Sequence, residues 1–180
     1  HLALSEGSSI FGAHINAIFL LILPLFRLFP DYRWLLLISD VALALAAWPV
    51  YLLARRHFST AISLLFAAMF LFHPIVTAQP GRSDFSELRF VPVLFLTAFY
   101  LFETRRFWWF AGAALLLMTI REDMGLFVAF FGIYALMRRY PLKWILAPLG
   151  VGLVWFLVSV AVLLPHLSPT GTAVRSTVRY

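Results

Sequence analysis

The chain has no cysteine and very little charge. Only 12% of its 180 residues are Asp, Glu, Lys or Arg. Without cysteine there is no disulfide, no thiolate nucleophile and no thiolate metal ligand, although this says nothing about compartment. Motifs with a built-in chemistry are missing too: there is no zinc-ligand spacing, no glycine-rich nucleotide loop and no nucleophile elbow. What is present is 63% hydrophobic sequence with a mean hydropathy of +0.93. So little polar surface cannot cover a soluble domain, and the composition points to a polytopic all-α membrane protein. The net charge of +6 does not imply nucleic acid, because the cations fall in pairs at the ends of apolar segments, as membrane topology requires.

Six spans are expected: Trp34 to Ala54, Ser59 to Ala78, Glu87 to Phe102, Phe107 to Ile120, Met124 to Met137, and Trp144 to Leu164. The connections are short, so successive helices should be antiparallel neighbours. Every second turn is basic: Arg55-Arg56, Arg105-Arg106, and Arg138-Arg139 followed by Lys143. These turns mark one cytoplasmic side, with seven Lys and Arg inside against five in the outer segments before the tail. Trp108, Trp109, Tyr140 and Trp144 form an aromatic belt beside them.

The Trp34 helix must then begin outside, so Ile15 to Phe29, with Pro24 in its middle, is expected as a juxtamembrane or re-entrant helix. Trp48-Pro49 and His73-Pro74 should kink their spans. Small residues at Ala42, Ala44, Ala46 and Ala47, at Ala111 to Ala114, and at Gly150 and Gly152 should allow close helix approach. Residues 1–180 read as one integral-membrane domain, with an outer loop and juxtamembrane helix over 1–33, the six-helix bundle over 34–164 and an outer polar tail over 165–180. A start on His1 and an unfinished polar end make the chain read as a piece of something longer.

The outer side collects the chemistry. Arg121-Glu122-Asp123 lies between two 14-residue apolar runs, each covering about 21 Å of a hydrocarbon core about 30 Å thick. Charges held below the membrane surface are costly and usually serve something. His14, Asp31, Arg33, Asp40, Arg82, Asp84, Glu87 and Arg89 join them on that side. The carboxylates can bind a divalent cation or accept a proton, and the guanidinium groups suit phosphate oxygens. Each residue also has a structural reading. Asp123 can cap the following helix, Glu122 can meet its dipole and Arg121 can neutralise the preceding carbonyls. Asp84 and Glu87 can cap the Leu88 helix, Asp40 can be an Arg-paired carboxyl in the bundle, and His14 an interfacial histidine.

The order of features resembles a known family. Phe11-Gly12-Ala13-His14, Leu23-Pro24-Leu25, Arg27-Leu28-Phe29-Pro30, Pro49-Val50-Tyr51-Leu52-Leu53-Ala54-Arg55-Arg56, Glu87, Val91-Pro92 and Arg121-Glu122-Asp123-Met124-Gly125-Leu126 together resemble the DUF2079 family of predicted bacterial and archaeal membrane proteins. The likeness runs from about Phe11 to Pro169. Two departures stand out: Phe85-Ser86-Glu87 where the family often has His-Pro-Glu, and Asn16-Ala17 after His14 where Ser-Pro is common.

That family looks similar to the GT-C membrane glycosyltransferases, which take sugars from polyprenyl-phosphate carriers on the extracytoplasmic face. The resemblance implies a GT-C-like fold, with Asp84 or Glu87 in a second acidic motif and the principal acid of the first loop upstream of His1. It implies Glu87, Glu122 and Asp123 as catalytic groups that hold a divalent cation (Mg or Mn) or orient the acceptor. His14, Arg82, Asp84, Arg89 and Arg121 would bind substrate, the arginines at the lipid phosphate. The implied setting is the prokaryotic plasma membrane, with membrane lipids and a polyprenyl-phosphate sugar donor as partners and no nucleic acid. Two other classes fit the same charges: a transporter of a lipid-linked or anionic solute, disfavoured by the lack of inverted repeats or evident discontinuous helices, and a non-catalytic membrane subunit.

Overall fold

Proline and the short polar turns divide the apolar sequence into helices. A computed structural model describes residues 16–28, 31–78 and 85–167, and among these every regular element is helical. The described residues fall into two compact units, one within Ile18–Leu117 and the other built mainly from Met118 onward.

The Ile18–Leu117 unit begins with α1 (Ile18–Leu28), which carries Pro24 inside it. Next come α2 (Tyr32–Leu45) and α3 (Ala47–Ala54), with Asp31 capping α2 by accepting a 2.9 Å hydrogen bond from the Arg33 N–H. The expected Pro49 distortion shows at the α2/α3 junction. Pro49 has no N–H for the Leu45 carbonyl, and at Ala46 the ladder tightens to a 3.2 Å bond from its N–H to Leu43 O.

A larger break separates α4 (Thr60–Leu71) from α5 (Pro74–Thr77). The segment expected as one span from Ser59 to Ala78 is divided at His73-Pro74, because Pro74 supplies no donor to continue the ladder. A 3-10 turn at Glu87–Phe90 then leads into α6 (Val91–Glu103), with Pro92 in its first turn, and α7 (Phe107–Met118) follows.

α2 packs against the 3-10 turn and α6, and α3 packs against α4 and α6. Phe102 of α6 is fully buried and meets Phe110 of α7 edge-on at 5.1 Å. Arg56 reaches Glu103 at 3.8 Å. Two of the basic turns therefore lie at the same end of this unit, as one-sided topology requires. Buried Ser39 and Ser63 satisfy their hydroxyls on the carbonyls of Leu36 and Ser59, at 2.9 and 2.8 Å.

The other unit is built on α8 (Met124–Met137) packed lengthwise against α9 (Leu142–Val158), which continues through a π-helical segment at Ser159–Leu163 into α10 (Leu164–Leu167). The close approach comes from Gly125 and Gly132 on α8 and Gly152 on α9. A Cβ at Gly125 would lie 2.6 Å from the Gly152 carbonyl oxygen, and one at Gly132 would lie 2.6 Å from that of Ile145.

Two helices are long and apolar enough to cross a membrane by length and composition: Tyr32–Ala54, of 23 residues, and Leu142–His166, of 25. Thr60–Leu71, Phe107–Met118 and Met124–Met137 are shorter apolar helices of 12, 12 and 14 residues. At about 1.5 Å per residue they cover roughly 18 to 21 Å of a core about 30 Å thick. Large apolar side chains such as Phe72, Trp108, Phe130 and Met137 face outward. A surface of that kind needs another apolar phase against it.

The two basic turns at Arg105 and Arg139 share a backbone device. Each residue has positive φ, 59° and 53°. Arg105 N–H donates to Phe102 O and Arg106 N–H to Leu101 O, and Arg139 and Tyr140 repeat the pattern on Leu136 and Ala135. These are Schellman ends in which arginine stands at the position glycine usually takes. Arg139→Val should therefore destabilise the protein by about 1–2 kcal/mol more than Arg139→Gly. Both variants lose the same charge, so the difference in detergent-micelle unfolding free energy reads the left-handed strain alone. Equal losses would refute it.

Candidate functional site

Arg89 organises the interior of the Ile18–Leu117 unit. It lies in the 3-10 turn Glu87–Phe90 and is only 4% exposed. Its Nη1 donates to Asp40 Oδ1 at 2.7 Å and to Ser39 Oγ at 3.2 Å, tying the entry of α6 to the middle of α2. Asp40, the loneliest charge along the sequence, is thus an Arg-paired carboxyl, 28% exposed. A short charge-assisted bond of this kind fixes the plane of the guanidinium group. Phe85, just before the turn, stacks at 5.6 Å on Phe19 of α1 and at 6.4 Å on Phe90.

Arg89 also forms part of the wall of an open-sided cavity of about 480 Å³. Leu43 enters from α2, Phe70 from α4, and His73 and Val76 from either side of Pro74. Ser86, Leu88, Arg89 and Pro92 come from the entry to α6. The walls are mostly apolar, with a guanidinium, an imidazole and a hydroxyl among them. That combination accommodates an amphiphile with an anionic group at one end, and the volume is that of a small-ligand site. The break at His73-Pro74 is part of the cavity wall, so the proline that divides the helix also shapes the site.

Glu87 stands two residues from Arg89, half-buried at the start of the turn. Ser86 occupies the position before it, without a side-chain capping bond. His14, Arg82 and Asp84 lie outside the described residues.

Arg121, Glu122 and Asp123 belong to the other unit, in the turn that opens α8. Glu122 is buried, at 8% exposure. Asp123 takes the N-cap position of α8, but its side chain makes no capping hydrogen bond. The expected cap is absent because the residue has helical φ and ψ of −70° and −18°, which turns its carboxylate away from the first-turn N–H groups. It faces Arg121 instead, with Oδ1 3.3 Å from Nε. Of the expected site residues that are described, Arg89 lies in the cavity wall and Glu87 begins the same turn, while Arg121 to Asp123 belong to the α8–α9 unit. Among the described residues no three His, Asp or Glu are grouped as a metal site.

Sequence reasoning selected Arg89 but missed three of its neighbours. His73 enters the sequence reading only as the residue before the Pro74 kink, Ser86 only as part of a departure from a family motif, and Ser39 not at all. The signal that bore on His73 was the adjacent Pro74, which dictates a broken helix and therefore an opening beside it.

A family described as Predicted membrane protein (DUF2079) matches the chain over residues 2–180. No curated protein and no solved structure matches it.

Proposed function

Since the chain belongs to the DUF2079 family of predicted membrane proteins, we propose that it forms part of a multi-pass, GT-C-like glycosyltransferase of the prokaryotic plasma membrane. Its donor would be a sugar on a polyprenyl phosphate, used at the extracytoplasmic face. The observation that supports this reading is the apolar cavity with Arg89 in its wall. Apolar walls suit the first isoprene units, and a buried guanidinium suits the phosphate oxygens. Sugar transfer develops positive charge at the anomeric carbon and negative charge on the departing phosphate. A fixed cation at that phosphate stabilises the transition state more than the ground state. Glu122 and Asp123 are assigned to holding a divalent cation or orienting the acceptor hydroxyl.

The test is transfer from a polyprenyl-phosphate sugar by the full-length protein in vesicles. Arg89→Gln should lower turnover by about 10²-fold, as removal of one fixed transition-state donor does elsewhere. Glu122→Ala and Asp123→Ala should abolish transfer while membrane insertion persists. Unchanged transfer in the carboxylate variants would reject their catalytic assignment.

A second reading, transport of a lipid-linked or anionic solute, gains from one observation. The interruption between α4 and α5 borders the cavity, and broken helices beside a binding site are a transporter feature. Flux into proteoliposomes without covalent change of the solute would favour it over transfer.

A further inference from the structure

A second polar site lies in the α8–α9 unit. Four shielded atoms there have no hydrogen-bond partner among the described residues: Arg121 Nε, Asp123 Oδ1, Trp155 Nε1 and Ser159 Oγ. Ser159 is fully buried, at 0% exposure, unlike the ordinary membrane serine that returns its hydroxyl to a carbonyl one turn back. Arg121 Nε and Asp123 Oδ1 are near enough for charge attraction at 3.3 Å but are not aligned as a hydrogen bond.

Helix geometry brings the four to one level. A Cβ at Gly125 would lie 3.0 Å from Trp155 Cδ1, the ring carbon bonded to Nε1, so the indole N–H lies beside the start of α8. Ser159 follows one turn later, its N–H donating to Trp155 O. The helices are antiparallel, with Gly125 against Gly152 and Gly132 against Ile145 and Leu149. One turn along α9 from Trp155 to Ser159 is therefore one turn back on the other strand of the hairpin, toward Arg121. At Ser159 the helix widens into its π segment, a distortion that recurs at functional sites.

We propose that Arg121, Asp123, Trp155 and Ser159 bind one hydroxylic oxygen, supplied by water or by an alcohol. Arg121 Nε and Trp155 Nε1 can only donate, Asp123 as carboxylate can only accept, and Ser159 does either. The ligand atom must accept twice and donate at least once. A cation would face two N–H groups, an anion would face Asp123, and an apolar group would leave all four atoms without a hydrogen bond. Water meets the set with two lone pairs and two protons. An alcohol meets it with two lone pairs for the two N–H groups and one proton, provided that Ser159 turns its own proton to Asp123. The proposal rests on the polar atoms of the α8–α9 unit alone.

The experiment is indole ¹⁵N NMR on the full-length protein in lipid nanodiscs, with the Trp155 signal assigned by Trp155→Phe. The expected result is cross-relaxation between the Trp155 N–H and a bound water proton, lost in Ser159→Val and in Asp123→Ala. The indole signals of the other tryptophans, out of six in the chain, report that the fold persists. Methyl glucoside then separates the two sources. If the glycoside removes the water cross-peak and shifts the Trp155 signal in wild type, and leaves that signal unshifted in Ser159→Val, the oxygen is an alcohol's. If the water cross-peak survives saturating glycoside, it is water. A Trp155 N–H that relaxes with neither overturns the proposal.

Discussion

Gly152→Ala should destabilise the protein by about 2 kcal/mol, while Gly150→Ala, two residues away on the same helix, should be neutral or stabilising by up to about 1 kcal/mol. A methyl at Gly152 would lie 2.3 Å from the Gly125 carbonyl oxygen and 2.6 Å from the Ala129 nitrogen. Both are backbone atoms of α8 and cannot rotate away, so the helices must separate. In lipid there is no hydrophobic gain to hold them together, and association rests on close van der Waals packing that falls off within a fraction of an ångström. Gly125 and Gly132 lie on the same seam, so a separation at Gly152 is felt along the hairpin. Nothing stands within 4 Å of a Cβ at Gly150, where alanine only improves helix propensity. Unfolding of the full-length protein in mixed micelles measures both changes, and equal effects at the two glycines would defeat the argument.

That contrast shows where the sequence is legible and where it is not. Small residues at Gly150, Gly152 and Ala111 to Ala114 all read as sites of close approach, yet only some are. Gly152 is at the seam, Ala113 and Ala114 are buried, and Gly112 and Gly150 face open space. A glycine shows that a helix can be approached; which face is approached depends on the partner's register, which lies in another segment. Backbone rules that act locally were easier to read. Pro49 and Pro74 forecast broken ladders, and the missing N–H produced them, although at Pro74 the result is a separate short helix. The left-handed Arg105 and Arg139 were hidden because the usual marker is glycine. Apolar content announced helices and a membrane setting, but not six spans, since 12 to 14 helical residues fall short of a full crossing. Asp40 was recognisable as a charge needing an arginine. Several arginines were available, and only the packing of α2 on the turn before α6 selects Arg89. Trp155 and Ser159 carried no signal at all, because an unpaired polar atom is visible only once its burial is known.

The Arg89–Asp40 pair should respond strongly to truncation of one partner and weakly to replacement of both. Arg89→Ala or Asp40→Ala should each cost about 3 kcal/mol, because the surviving charge remains in the interior without its counter-ion. The figure belongs at the low end of the range for buried pairs, since Asp40 is 28% exposed and water can partly screen it. Arg89→Ala also strips Ser39 Oγ of the guanidinium donor at 3.2 Å, although its own bond to Leu36 O survives. In the double variant Asp40→Leu, Arg89→Met no unpaired charge is left, and stability should return to within about 1 kcal/mol of wild type. A double-mutant cycle in micelle unfolding measures the coupling, and additive single losses would show that the two side chains do not act as a pair. The same double variant separates scaffold from chemistry. If Arg89 serves only to hold α2 against the entry of α6, restoring stability should restore binding of a polyprenyl-phosphate probe in nanodiscs. If its guanidinium meets the phosphate from the cavity wall, the restored fold should still fail to bind, because methionine fills the space but offers no donor to an anionic oxygen.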